Sequence, residues 1–335
     1  MSLFLAIDAG GTGTRCLLAD ETRVLARATA GTVKLMRVGE PEATARLQAM
    51  LAEAAAAAGV SLNQITRTCF GLAGIGSPVV RAWASRVLSS SVSGELLICG
   101  DEEIALDAAF AGGPGILLVA GTGSNAIGRT DAGETFGAGG WGPVLGDEGS
   151  GTWIGLEALR AALRAQDRIP LGDQLNDQLG DSNREQSEMK CVRASTSLLR
   201  EIERHWRLNS LGELVAYANQ RGDCDRPAPE FASLAPIVAR CAAQGDALAA
   251  KVLTRAGEEL AELVALVFGK MSAAAPTDAK ESASIGVAFT GGVLTHIARV
   301  RAAMTARLAV LLPAACVRQS PVDPLEGALW RARRG

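Results

Sequence analysis

Two short segments rich in glycine and hydroxyl side chains are the clearest candidates for chemistry in this chain. Gly10-Gly11-Thr12-Gly13-Thr14 follows an apolar segment that ends at Asp8, and Gly121-Thr122-Gly123-Ser124 follows another apolar segment, residues 116–120. Glycine lets backbone N–H groups approach an anion closely, so each segment could bind phosphate. One such segment alone is more often only a tight turn. Two segments with the same chemistry suit a nucleotide whose phosphates are held from both sides.

Neither segment fits the fingerprints in which a glycine-rich loop joins a strand to a helix, because a strand-like pattern resumes after each of them. Each segment is therefore predicted to be the turn of a β-hairpin. The length of 335 residues is enough for two domains. We expect two related α/β lobes, residues 1–112 with the first segment and residues 113–335 with the second.

Two aspartates follow apolar strands at points where ligands commonly bind. Asp8 could hold the hydrated Mg²⁺ that accompanies nucleotide phosphates, or it could close the turn through its own backbone. Asp101 follows the apolar strand at residues 96–99 and could accept a proton from an attacking hydroxyl group. Its alternative role is a helix cap, because Glu102 and Glu103 come next.

Two further glycine-rich segments carry recognisable side chains. Trp141, Asp147 and Glu148 lie among glycines before a helix from residue 152, and paired carboxylates are acceptors that sugar hydroxyls need. The alternative is an acidic helix start with Ser150 or Asp147 as the cap. Gly291 and Gly292 follow the strand at residues 285–288 and suit a flat nucleoside, although a plain strand-to-helix turn would also explain them.

The rest of the sequence predicts the helices and surface segments that support the candidate site. Apolar residues recur at helical spacing over residues 42–58, which end at Gly59, and over residues 246–271. These segments are predicted to be core helices. Segments 171–188 and 276–284 are polar and irregular, and we expect surface connections without chemistry there.

Composition excludes several classes of function. A net charge of −3 gives no electrostatic footprint for nucleic acid, and no apolar run approaches the length of about 20 residues that a membrane helix needs. The amino terminus lacks the basic start of a signal peptide, so a cytoplasmic protein is expected. The seven cysteines form no C-x-x-C pair and the two histidines are far apart, which argues against a zinc site.

In their order along the chain, these motifs resemble the N-acetylglucosamine kinase branch of the BadF/BadG/BcrA/BcrD ATPase family. That branch belongs to the superfamily of sugar kinases, actin and heat-shock chaperones. The resemblance runs from Ile7 to the segment at residues 323–328. It implies a two-lobed actin-like ATPase fold with duplicated ribonuclease-H-like domains, which closes on ATP and an amino sugar, often as a homodimer.

The resemblance also implies an activity, the transfer of the ATP γ-phosphoryl group to the 6-hydroxyl of N-acetylglucosamine or glucosamine. The implied roles are phosphate binding by Gly10, Gly11, Thr12, Gly13, Thr14, Gly121, Thr122, Gly123 and Ser124, adenosine binding by Gly291 and Gly292, proton acceptance by Asp101, and sugar binding by Trp141, Asp147 and Glu148.

One position departs from this pattern. Similar kinases carry an asparagine that touches the sugar before the first long helix, whereas Lys34 takes that place here. Lys34 could pair with Asp147 or Glu148, point to solvent, or meet an anionic group on the acceptor, such as the lactyl carboxylate of N-acetylmuramic acid.

Two other functions share the phosphate-binding motifs. An ATPase activator of an acyl-CoA reductase or dehydratase would need thiolates for an iron–sulfur cluster between subunits, and the cysteines here look buried in strands. A non-catalytic sugar sensor is the other alternative.

Overall fold

A computed structural model of the chain describes residues 2–167, 197–220, 228–274 and 284–334. Its first sheet has five strands in the order β3-β2-β1-β4-β5. They are β1 (Leu3–Ala9), β2 (Gly13–Ala19), β3 (Val24–Gly31), β4 (Ile65–Leu72) and β5 (Glu95–Cys99). Strands β1 to β3 form an antiparallel meander, while β4 and β5 run parallel to β1.

The second sheet repeats this arrangement. Its strands are β6 (Gly115–Ala120), β7 (Ser124–Arg129), β8 (Thr135–Gly139), β9 (Ile285–Thr290) and β10 (Ala315–Val317). The order is β10-β9-β6-β7-β8, with β6 to β8 antiparallel and with β9 and β10 parallel to β6. The predicted α/β fold built from two related sheets is confirmed.

Four helices alternate with or follow the later strands of the first sheet: α1 (Leu35–Val38), α2 (Glu40–Ala58), α3 (Pro78–Ser91) and α4 (Asp101–Phe110). Helix α2 buries Leu47, Met50 and Leu51 at helical spacing against one face of this sheet. It ends at Gly59 with φ 67°, a left-handed conformation that favours glycine. The helix predicted at residues 42–58 is confirmed.

The other described helices are α5 (Gly151–Asp167), α6 (Ser197–Trp206), α7 (Leu211–Ala218), α8 (Ala235–Ala243), α9 (Ala247–Ala274), α10 (Gly292–His296), α11 (Ala298–Leu311) and α12 (Pro324–Arg334). Helix α9 contacts the second sheet, and its buried stripe includes Leu260, Val264 and Val267. The helix predicted at residues 246–271 is confirmed. None of the described helices is both long and apolar enough to cross a bilayer.

The last helix returns to the first sheet. Leu325 and Leu329 of α12 pack with Phe4 and Leu17 in one buried cluster. The lobe boundary at residues 112/113 stays a prediction. Helix α12 belongs to the second lobe by sequence, but it packs on strands of the first lobe. Segment 171–188 and residues 276–283 lie outside the described residues.

Helix α4 joins the two sheets through a buried charge network. Asp107 on α4 is 3% exposed and accepts a hydrogen bond from Arg129 on β7 at 2.7 Å. Its other carboxylate oxygen accepts from Arg331 on α12, which also reaches Glu103 at 3.2 Å. The network therefore fixes the helix that begins at Asp101 relative to both sheets.

Candidate active site

The two glycine-rich turns occupy equivalent places in the two sheets, although the hydrogen bond that closes loop 1 spans one residue more than the one in loop 2. In loop 1 (residues 10–14), the Gly10 N–H donates to the Gly13 carbonyl at 3.1 Å, and in loop 2 (residues 121–124) the Gly121 N–H donates to the Gly123 carbonyl at 2.9 Å. Both loops begin at the carboxyl end of the first strand of a sheet, β1 or β6. The two turns are therefore equivalent parts of the duplicated fold.

Packing within the chain does not explain every glycine in these loops. A β-carbon on Gly11 or Gly121 would have no described atom within 4 Å, and neither residue has the left-handed φ that favours glycine. The open space fits the close approach of a ligand to the backbone. Gly123 differs, because a β-carbon there would lie 2.7 Å from Asp147 Oδ2.

The buried hydroxyl groups of the loops face the protein. The Ser124 hydroxyl donates to the Glu148 carbonyl at 2.7 Å, which joins loop 2 to the acidic segment at residues 147–148. Thr14 Oγ1 is buried without a hydrogen-bond partner among the described residues. Thr12 and Thr122, in contrast, are exposed at equivalent positions of the two turns.

Asp8 lies at the end of β1 in contact with a guanidinium group. Arg15 Nη2 lies 2.7 Å from Asp8 Oδ2 and 2.9 Å from Asp323 Oδ1. Burial raises the pKa of Asp8, and the contact with Arg15 opposes that shift. The described residues contain no cluster of three metal-binding side chains. Asp8 therefore fits Mg²⁺ only as one contributor to an ion that nucleotide phosphates largely coordinate.

Asp101 is the first residue of α4, and the cap position is Gly100. The Gly100 N–H donates to Glu103 Oε1 at 3.0 Å, so Glu103 and not Asp101 satisfies the backbone at the helix start. The helix-cap alternative for Asp101 is wrong. Burial raises the pKa of Asp101 to about 8, and the neighbouring Glu102 and Asp8 add to this shift. A half-buried carboxyl group with such a pKa could exchange a proton near neutral pH.

The acidic segment is tightly bent beside loop 2. Asp147 is buried with φ 61°, and its Oδ1 accepts a hydrogen bond from the Gly142 N–H at 3.3 Å. Burial raises the pKa of Asp147. The Ser150 hydroxyl accepts from the Trp153 N–H at 3.1 Å, so Ser150 caps α5 and leaves Asp147 free of that role. Trp141 is 74% exposed and so presents an aromatic face to solvent.

The third glycine pair adjoins loop 2 through the second sheet. Gly291 has φ 95°, and a β-carbon on it would lie 2.3 Å from the Ala120 carbonyl oxygen. Gly292 begins α10 and has no described atom within 4 Å of a β-carbon position. The chain's own packing therefore accounts for glycine at position 291, while position 292 remains open to a ligand.

The segment between β3 and α2 is attached to loop 1. Thr32 Oγ1 donates to the Gly10 carbonyl at 3.2 Å and accepts from the Lys34 N–H at 3.2 Å. Arg37 donates to the Gly11 carbonyl at 3.1 Å and pairs with Glu230. Sequence reasoning missed Arg37 and Glu230, because nothing in the spacing of two surface charges indicates that they meet.

The structure thus brings the predicted residues together in two groups. In the first group, the charge of Asp8 contributes to the raised pKa of Asp101, and in the second, the charges of Glu148 and Lys34 act in opposite directions on the pKa of Asp147. A separate cavity of about 460 Å³ lies between α5 and α9, and none of the predicted site residues lines it.

The sequence is similar to a family of ATPases and to two named kinases. The model of the BadF/BadG/BcrA/BcrD ATPase family matches residues 5–331. The N-acetylmuramic acid/N-acetylglucosamine kinase of Clostridium acetobutylicum is 26% identical over 300 residues, which cover 89% of this chain and 87% of the relative. The N-acetyl-D-glucosamine kinase of Dictyostelium discoideum is 25% identical, over 97% of this chain and 96% of the relative.

A solved structure from Chromobacterium violaceum, provisionally named N-acetylglucosamine kinase, has the same fold. It matches with a TM-score of 0.64 and 25% identity and covers 98% of each chain. This likeness confirms the predicted two-lobed, actin-like arrangement of the two sheets.

Proposed function

Because this chain belongs to the BadF/BadG/BcrA/BcrD ATPase family, we propose that it is an ATP-dependent amino-sugar kinase that phosphorylates the 6-hydroxyl of N-acetylglucosamine or glucosamine. The observation that carries the proposal is the pair of equivalent glycine turns, together with the half-buried Asp101 carboxyl group at the end of β5. The names of the two relatives support an amino sugar as the acceptor.

The nucleotide binds between the two lobes, residues 1–112 and 113–335. Backbone N–H groups of loops 1 and 2 hold its phosphates, and the open β-carbon positions of Gly11 and Gly121 give the room that this contact needs. The adenosine lies against Gly291 and Gly292. Asp8 would help to hold the hydrated Mg²⁺ that accompanies ATP, and this ion would supply positive charge to the phosphates.

Asp101 accepts the proton of the attacking sugar hydroxyl. Its raised pKa, about 8, lies close to neutral pH, where a carboxylate is a more effective base than one of ordinary pKa. The charge network around Asp107 holds α4 in place and so fixes the position of Asp101. Trp141, Asp147 and Glu148 bind the sugar, with the carboxylates as acceptors for its hydroxyl groups.

A coupled ADP-release assay over a panel of sugars tests this proposal. The panel contains N-acetylglucosamine, glucosamine, N-acetylmannosamine, N-acetylmuramic acid and glucose. We expect ADP release that depends on an amino sugar, and NMR of the product should place the phosphate on the 6-oxygen. ATP hydrolysis that is independent of every sugar would contradict the proposal and favour the ATPase activator. Sugar binding without turnover would favour the sensor.

A further inference from the structure

Lys34 occupies a fixed position beside the loop that is proposed to bind ATP phosphates. The residues on both sides of it are tied to loop 1, since Thr32 donates to the Gly10 carbonyl at 3.2 Å and Arg37 donates to the Gly11 carbonyl at 3.1 Å. The Lys34 N–H itself donates to Thr32 Oγ1. The backbone that carries the Lys34 side chain is therefore held against the proposed site.

The other cations of this segment already have partners. Arg46 donates to Glu42 at 2.7 Å and to the Thr32 carbonyl at 2.9 Å, while Arg37 pairs with Glu230. Lys34 is exposed, and its ammonium group makes no ion pair or side-chain hydrogen bond with any residue in the described ranges. Among the described residues, Lys34 therefore does not form the ion pair with Asp147 or Glu148 that the sequence allowed.

The charge of Lys34 nevertheless acts on the proposed sugar site. It opposes the rise in the pKa of Asp147 that burial causes, so the ammonium group lies within electrostatic reach of that carboxyl group. The other ionisable side chains proposed to face the substrates, Asp8, Asp101 and Glu148, are acids that repel an anionic acceptor. One cation without a partner in such surroundings offsets that repulsion at a single point.

We infer that Lys34 binds a carboxylate substituent of the acceptor, so that an amino sugar bearing a carboxylate is phosphorylated in preference to its neutral counterpart. This inference rests on the proposed kinase function. The contact is a charge-assisted hydrogen bond from the ammonium group to the carboxylate. A lysine that only reaches into solvent would give no such preference.

The test compares kcat/KM for N-acetylmuramic acid with kcat/KM for N-acetylglucosamine. The ratio is measured in wild type, Lys34→Gln and Lys34→Arg, with Lys251→Gln as the control for loss of an exposed lysine on α9. We expect the ratio to fall at least about tenfold in Lys34→Gln, the scale of a hydrogen bond between charged groups. Lys34→Arg should restore part of the ratio, and Lys251→Gln should not change it.

The methyl ester of N-acetylmuramic acid provides a test that needs no variant. It has the same shape near the sugar but no charge, so wild type should phosphorylate it less efficiently than the acid. The advantage of the acid should shrink as salt is added. This comparison decides the question even if a Lys34 variant does not fold.

The outcomes separate the two proposals. An unchanged ratio in Lys34→Gln, or equal efficiency with the acid and its ester, overturns the role of Lys34. Turnover of N-acetylglucosamine without turnover of N-acetylmuramic acid also overturns it and leaves the kinase function standing. A protein that phosphorylates neither sugar would refute the kinase function itself for these acceptors, and the inference with it.

Discussion

Replacing Asp101 by asparagine should stabilise the folded protein, and the gain should grow with pH. Burial and the nearby carboxylates raise the pKa of Asp101 to about 8, against an ordinary value of 3.8. At pH values between these two pKa values, Asp101 holds a proton in the folded protein that it has released in the unfolded chain. The stability of the folded protein therefore falls as the pH rises through that window. Asparagine does not ionise and removes this loss.

The expected size follows from proton linkage. One proton held only by the folded state changes the unfolding free energy by about 1.4 kcal/mol for each pH unit within the window. The advantage of Asp101→Asn over wild type should thus increase by about 3 kcal/mol between pH 5 and pH 7. The comparison between two pH values cancels pH-independent effects of exchanging a carboxylate for an amide.

Urea denaturation of nucleotide-free protein at pH 5, 6 and 7 measures this difference. Asp131→Asn, in the exposed turn between β7 and β8, is the matched control for an aspartate outside the site. A gain that is the same at all three pH values would refute the assignment of the raised pKa to Asp101. A variant that loses stability relative to wild type as the pH rises would refute it as well.

Four further substitutions test individual parts of the site. Glu102→Gln should shift the acid limb of the pH profile of kcat/KM to lower pH, because it removes a carboxylate that raises the pKa of Asp101; an unmoved limb would argue against this coupling. Gly11→Ala should weaken ATP binding in calorimetry at least about tenfold without lowering the melting temperature. Gly291→Ala should instead lower the melting temperature, since its β-carbon would lie 2.3 Å from a carbonyl oxygen of β6; the opposite pattern would contradict the roles given to these glycines. Asp107→Ala should cost about 3–5 kcal/mol of unfolding free energy, measured with urea, because two arginines lose their shared carboxylate, and an unchanged midpoint would contradict that role.

The strands that the sequence predicted are those with continuous apolar runs. All seven residues of β1 are buried, so periodicity and composition agree there. Strand β3 gives a weaker signal, because its buried residues Ala26 and Ala28 have low strand propensity. Strand β8 contains two glycines within five residues. Edge strand β3 forms by pairing with β2, and edge strand β8 forms by pairing with β7. These pairings are not encoded in the local sequence.

The candidate site also has features that the sequence could predict and features that it could not. Glycine turns and acids at strand ends have local signatures, so both loops and Asp101 could be chosen from the sequence. Contacts between distant segments have no such signature: Arg37 and Glu230 are 193 residues apart, and each looks like an ordinary surface charge. The hydrogen bond from Ser124 to the Glu148 carbonyl also depends on tertiary structure, because the acceptor is a backbone atom.

The role proposed for Asp101 is to accept the proton of the sugar hydroxyl during phosphoryl transfer from ATP. It is tested most directly by kcat of Asp101→Asn with N-acetylglucosamine, together with calorimetric affinities for ATP and for the sugar. We predict that kcat falls by about 10²-fold or more while both affinities stay within about tenfold of wild type. Retention of the wild-type kcat in the folded variant would contradict the claim.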